Sequence, residues 1–130
     1  TLVVPLGMLT AEKVLTEVFA PEPVPEDFRT LGGGLLGLRP DAYYNTSSDL
    51  VAVPDDMEDL VARYGTVQVP VGILYARGDN LLDYRKHGER AAEQLGAALT
   101  LVEGGHMLPV TQPQLTADWI AARAWELSGA

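Results

Sequence analysis

Apolar residues recur along this chain in two rhythms, and the change falls at about Tyr64 to Pro70. Before it the spacing is helical and punctuated by proline and glycine; after it, short continuous apolar runs alternate with helical spacing. In the first half, Thr10 is placed to cap a helix whose Val14, Leu15, Val18 and Phe19 share one stripe, and the Pro21 to Pro25 cluster stops it. Gly32-Gly33-Gly34 interrupts Leu31 to Leu38 and argues against a long regular element there. Arg39-Pro40-Asp41 predicts a helix start, with proline tolerated in the first turn and Asp41 favourable to the helix dipole. This helix carries Tyr43, Tyr44, Leu50 and Val51 towards Pro54. A shorter one from Asp55 to Tyr64 opens on Asp55, Asp56, Glu58 and Asp59, carries Met57, Leu60, Val61 and Tyr64, and stops at Gly65.

In the second half, Val71 to Ala76 is a continuous apolar run between Pro70 and Arg77-Gly78-Asp79, which predicts a strand buried on both faces. A helix from about Tyr84 to Leu95 ends at Gly96, and Ala97 to Val102 makes a second strand. Strand, helix and strand in about 30 residues form a βαβ unit with parallel strands and a right-handed crossover. Thr111 and Gln114 suggest a capping box around Pro113, opening a last helix that carries Leu115, Trp119, Ile120, Ala122, Ala124 and Leu127. Trp119 and Trp125 are expected as its contacts with a sheet.

At 130 residues the chain has the length of one domain, and 47% hydrophobic with 21% charged residues is far from a disordered composition. The charge changes the range of partners. Nine Lys and Arg stand against 18 Asp and Glu, a net charge of −9, so the long-range field repels phosphate backbones and anionic lipids. No nucleic-acid or membrane partner is therefore expected. The absence of cysteine removes disulfides, thiolate metal sites and a cysteine nucleophile, and a reduced, cytoplasmic setting is the expectation. The apolar stretch from Leu2 to Leu9 contains Pro5 and Gly7, lacks a basic flank and is too short to span a bilayer, so neither a signal peptide nor an anchor is predicted.

In a parallel α/β arrangement, reactive groups collect in the loops beyond the carboxyl ends of the strands. Here those loops are Arg77-Gly78-Asp79-Asn80 and Glu103-Gly104-Gly105-His106-Met107-Leu108-Pro109, which set Asp79 and His106 side by side although 27 residues separate them. A carboxylate accepting from imidazole Nδ1–H fixes the tautomer and leaves Nε2 free as a base. Each residue also has a plainer reading. Asp79 can close an Asx turn, and His106 can bond backbone in a glycine-rich loop. Asp83 is a rival acid that falls at the start of the next helix and suits a cap. His87 sits on a charged helix face and is given no role. The tyrosines, Leu35, Leu36 and Met57 are read as packing before pocket lining, whereas Met107 and Leu108 adjoin the histidine and suit substrate contact. The acidic residues from Asp55 to Asp59 read as solvated helix-opening charges, so no metal site is predicted.

These features resemble the C-terminal part of an α/β-hydrolase. The resemblance covers about Val69 to Arg123, through the strand with Arg77-Gly78-Asp79-Asn80, the crossover helix, the second strand, and Gly104-Gly105-His106-Met107 with Pro113 and its helix. It implies a partial α/β-hydrolase fold, with residues 1–66 as a helical cap or lid and 67–130 as a β-α-β-α part of the core holding two parallel strands. It implies catalytic Asp79 as triad acid and catalytic His106 as triad base, no metal or organic cofactor, and a small ester, thioester or lactone as substrate. The family's Gly-x-Ser-x-Gly elbow is absent: Ser47 and Ser48 lack flanking glycines, and Ser128 follows the histidine. The resemblance accordingly places the nucleophile and the earlier strands before Thr1, and predicts no hydrolysis by this chain alone. An upstream Asp nucleophile, as in dehalogenases and epoxide hydrolases, is the alternative within the family. Outside it, the alternative is a non-catalytic module that completes a partner's sheet. Self-association, or pairing with the missing N-terminal half, follows from the exposed strand edges.

Overall fold

The computed structural model describes residues 3–128 and contains five α-helices and one two-stranded parallel sheet among them. It divides into two compact units, one made of Thr1–Thr16 and Val24–Tyr64, the other of Glu17–Pro23 and Gly65–Ala130.

The first unit is helical. Helix α1 spans Val3–Phe19 and begins seven residues before the expected cap, so Thr10 lies in its interior with Oγ1 donating to the Gly7 carbonyl at 3.3 Å. Pro5 does not prevent this, because the first amides of a helix have no intrahelical acceptor to lose. Gly33, at φ +77°, introduces a short 3₁₀ turn at Gly34–Leu38 in place of any long element. Helix α2 then runs Pro40–Ala62, with proline in its first turn as expected.

The expected break at Pro54 is absent: one 23-residue helix replaces two. Proline removes a single amide donor, a local penalty of about 3 kcal/mol, and helix-forming residues continue the element on both sides. Asp55, Asp56, Glu58 and Asp59 consequently lie inside α2 and do not open a helix of their own. Glu58 and Asp59 are exposed, whereas the side chains of Asp55, Asp56 and Leu127 fall outside those described. Tyr43, Tyr44, Leu50 and Val51 all face water, with Val51 79% exposed.

The second unit contains the sheet. Strands β1 (Gly72–Ala76) and β2 (Ala98–Val102) pair in parallel, with Gly72 opposite Ala98 and Ala76 opposite Val102. Burial of β1 on both faces is not observed, since only Ala76 is fully buried and its other four residues are half-buried. The crossover begins with one π turn, Arg85–Glu89, and continues as α3, Arg90–Leu95, which Gly96 ends at φ +60°. Asp83 caps this start, as expected: its Oδ1 accepts from the Arg85 amide at 2.8 Å. Gly88 is buried in the π turn against Tyr75, whose ring would stand 3.0 Å from any added Cβ.

After β2 come α4 (Leu108–Thr111) and α5 (Pro113–Ser128). The expected capping box does not form, because Thr111 closes α4 and its hydroxyl donates back to the Met107 carbonyl at 3.3 Å. Gln114 instead donates to Asp118 at 2.8 Å. Trp119 packs on the sheet next to Gly72, and its indole N–H donates to Thr100 Oγ1 at 2.9 Å. Trp125, the other tryptophan expected against a sheet, is 66% exposed. Among the described residues, the fully buried hydrophobic side chains are Phe19, Ala76 and Leu108, all in this unit. No described helix is long and apolar enough to cross a membrane.

Candidate active site

The parallel pairing continues past the strand ends and joins the two loops. The Arg77 amide donates to the Val102 carbonyl and the Gly78 amide to the Gly104 carbonyl, each at 2.9 Å. Gly78 permits this closeness, since a Cβ there would lie 2.7 Å from the Gly104 oxygen. The second loop is equally constrained. Gly104 has φ +139°, and a Cβ on Gly105 would collide with the Ala20 carbonyl and approach Glu22 Oε2 to 2.8 Å. Gln112 fastens the loop from the other side, its Nε2 donating to the Glu103 carbonyl at 2.8 Å.

These restraints bring Asp79 and His106 together, with Nδ1 of the imidazole 3.0 Å from Oδ2 of the carboxylate. Asp79 divides its two oxygens between two tasks. Oδ1 accepts from the Leu81 and Leu82 amides, both at 2.9 Å, closing the turn anticipated as the plain reading of this residue; Oδ2 takes the histidine. Its side chain is 7% exposed and that of His106 is 32% exposed. Burial alone pushes the Asp79 carboxyl up, but the donors from Leu82, His106 and Leu81 and the charge of His106 outweigh it and hold the group below its ordinary value. An ionised carboxylate can only accept, so Nδ1 carries the proton, and whenever the imidazole is neutral the lone pair lies on Nε2. That is the protonation pattern of a general base.

The pair borders a pocket of about 420 Å³ with Leu74, Tyr75, Leu82, Leu108, Trp119 and Ile120 among its lining residues. Leu108 lines it as anticipated, whereas Met107 does not. The Tyr75 hydroxyl donates to the Leu82 carbonyl at 3.2 Å, and burial followed by the charges of Asp79 and Asp83 pushes its phenol up, keeping it a neutral donor.

Asp83 holds the crossover turn, and His87 is exposed on that turn. Ser47 and Ser48 donate to the Tyr43 and Tyr44 carbonyls of their own helix at 2.8 and 3.0 Å, so neither stands on an elbow. No group of three or more metal-ligating side chains occurs among the described residues. Sequence reasoning missed Glu22, Tyr75 and Gln112 as supports of the site. Glu22 and Gln112 gave no local signal; Tyr75 was hidden inside a strand that read as uniformly apolar.

No protein-family model, curated protein or solved structure matches this chain.

Proposed function

We propose that Asp79 and His106 form the acid and base of a Ser-His-Asp relay in an α/β-hydrolase-type enzyme that cleaves small esters, thioesters or lactones. The observation that carries this reading is the 3.0 Å contact between a nearly buried, low-lying carboxylate and imidazole Nδ1, placed at the carboxyl ends of two parallel strands beside an apolar pocket. In this mechanism a serine on a segment outside the present sequence donates its proton to His106 Nε2 as its oxygen bonds to the carbonyl carbon. The imidazolium returns that proton to the departing alcohol or thiol, and water repeats the cycle to release the acid. Asp79 holds the ring in position and stabilises the transient positive charge.

The reading is tested with p-nitrophenyl acyl esters on the enzyme that joins this chain to its nucleophile-bearing segment. His106→Ala is expected to abolish most turnover while Ser47→Ala leaves it unchanged; equal rates for wild type and His106→Ala would end the assignment. The 130-residue chain alone is expected to resist labelling by a fluorophosphonate. A stoichiometric adduct on Ser47 or Ser48 would place the nucleophile within the chain and overturn this division of roles.

A further inference from the structure

The polar side chains around the pocket can be counted one by one. Tyr75 spends its hydroxyl proton on the Leu82 carbonyl, Thr116 on the Gln112 carbonyl at 3.0 Å, and Trp119 its indole proton on Thr100. Asp79 is occupied by the Leu81 and Leu82 amides and by His106. His106 Nδ1–H is in turn committed to Asp79. The other lining residues are Leu74, Ala76, Leu82, Gly105, Leu108, Pro109 and Ile120, with no lysine or arginine among them. With the imidazole neutral, the lining side chains therefore offer a ligand no uncommitted hydrogen-bond donor and no positive charge. Their one nitrogen acceptor without a partner is His106 Nε2.

A site of this kind selects by subtraction. Beside the Asp79 charge and a neutral imidazole, a carboxylate or phosphate would lose its hydration and gain no side-chain donor in return. A hydrocarbon would fill the space and leave the Nε2 lone pair unused. A hydroxyl on an otherwise apolar body satisfies both the walls and the imidazole. The volume, about 420 Å³, lies within the common range of small-molecule sites, ~300–1,000 Å³.

We propose that this pocket binds uncharged, mainly apolar molecules carrying one hydroxyl, of the phenol or medium-length alcohol class, whose O–H donates to His106 Nε2. This deepens the hydrolase reading and rests on the same tautomer, because the bound hydroxyl occupies the place of the alcohol that leaves an ester.

The test uses p-cresol, toluene and p-toluate, which share a ring and a methyl group and differ in the remaining substituent. Each is titrated into the full chain while the Trp119 indole N–H is followed by ¹H–¹⁵N NMR. The expected order has p-cresol saturating ~5-fold tighter than toluene, the worth of one ordinary hydrogen bond, and p-toluate at least ~10-fold weaker than p-cresol, as an unpaired anion should be. His106→Ala is expected to lower p-cresol to the level of toluene. Asp79→Asn, which keeps the side-chain shape but releases the tautomer, is expected to shrink the same advantage. Equal binding of toluene and p-cresol, p-toluate binding as tightly as p-cresol, or no saturable shift with any of the three would overturn the proposal. The two readings fail separately. Ester turnover indifferent to His106→Ala removes the hydrolase reading even if the binding order holds, whereas a wrong binding order with turnover lost in that variant removes only this inference.

Discussion

In the first unit, hydroxyls donate to carbonyls three or four residues back, as in Thr10 to Gly7, Thr16 to Glu12 and Ser47 to Tyr43. The second unit has local bonds of the same kind, such as Thr116 to Gln112, and adds bonds between distant positions: Gln112 to Glu103, Trp119 to Thr100, and His106 to Asp79 across 27 residues. The burial differs in the same sense. Tyr44 and Val51 on α2 are 71% and 79% exposed, while Phe19, at 0%, belongs to the second unit. Local bonds shape a helix but position nothing across the chain. A geometry as specific as the Asp79–His106 pair arises where glycine loops, a parallel register and non-local donors constrain one another.

Substitutions should expose that contrast, and the greatest effect is expected in catalysis. In the enzyme proposed above, with a nucleophile-bearing segment joined to this chain, Asp79→Asn should lower ester turnover by on the order of 10⁴, with His106→Ala at least as damaging, whereas Ser48→Ala in the helical unit should leave steady-state rates unchanged. Next comes backbone fit. Gly105→Ala drives a methyl group into the Ala20 carbonyl and should destabilise by about 1–3 kcal/mol in urea unfolding. Gly37→Ala in the first unit meets nothing within 4 Å and should be neutral or stabilising by up to ~1 kcal/mol.

A smaller effect belongs to the sheet contact. Trp119→Phe removes the donor to Thr100 and should cost about 1 kcal/mol, while Tyr44→Phe on α2 should stay within ~0.5 kcal/mol by the same measurement. The smallest effect is expected in the acid limb of stability. Because the folded Asp79 carboxyl lies below its ordinary value, its contribution is complete above about pH 4 and is lost as pH falls through the lower folded value. Unfolding followed against pH should show this acid loss in wild type and a weaker one in Asp79→Asn. An identical profile for the two proteins would deny the carboxylate its assigned protonation state.

The legibility of the sequence follows the same divide. Val71 to Ala76 and Ala97 to Val102 are short apolar runs bounded by turn residues, and the observed strands fall within them. Asp79 and His106 were legible as neighbours because each lies in a loop just beyond the carboxyl end of one of two parallel strands. The first half was harder. Pro54 reads as a breaker, yet a long helix absorbs the loss of one donor. Thr10 reads as a cap, yet the same hydroxyl bonds back within a helix that starts earlier. In the π turn at Arg85–Glu89, Gly88 packs on Tyr75, a contact that no local pattern expresses. Glu22 likewise reaches the histidine loop only through the fold, with its Oε1 3.5 Å from Gln112 Nε2 across 90 residues.

The most direct test of the proposed Asp79–His106 relay is the tautomer of the neutral His106 ring, read from its ring ¹⁵N shifts. The predicted spectrum has Nδ1 protonated and Nε2 unprotonated in wild type, with that preference lost in Asp79→Asn. A wild-type ring protonated on Nε2 alone, or one whose tautomer is the same in Asp79→Asn, would contradict the relay.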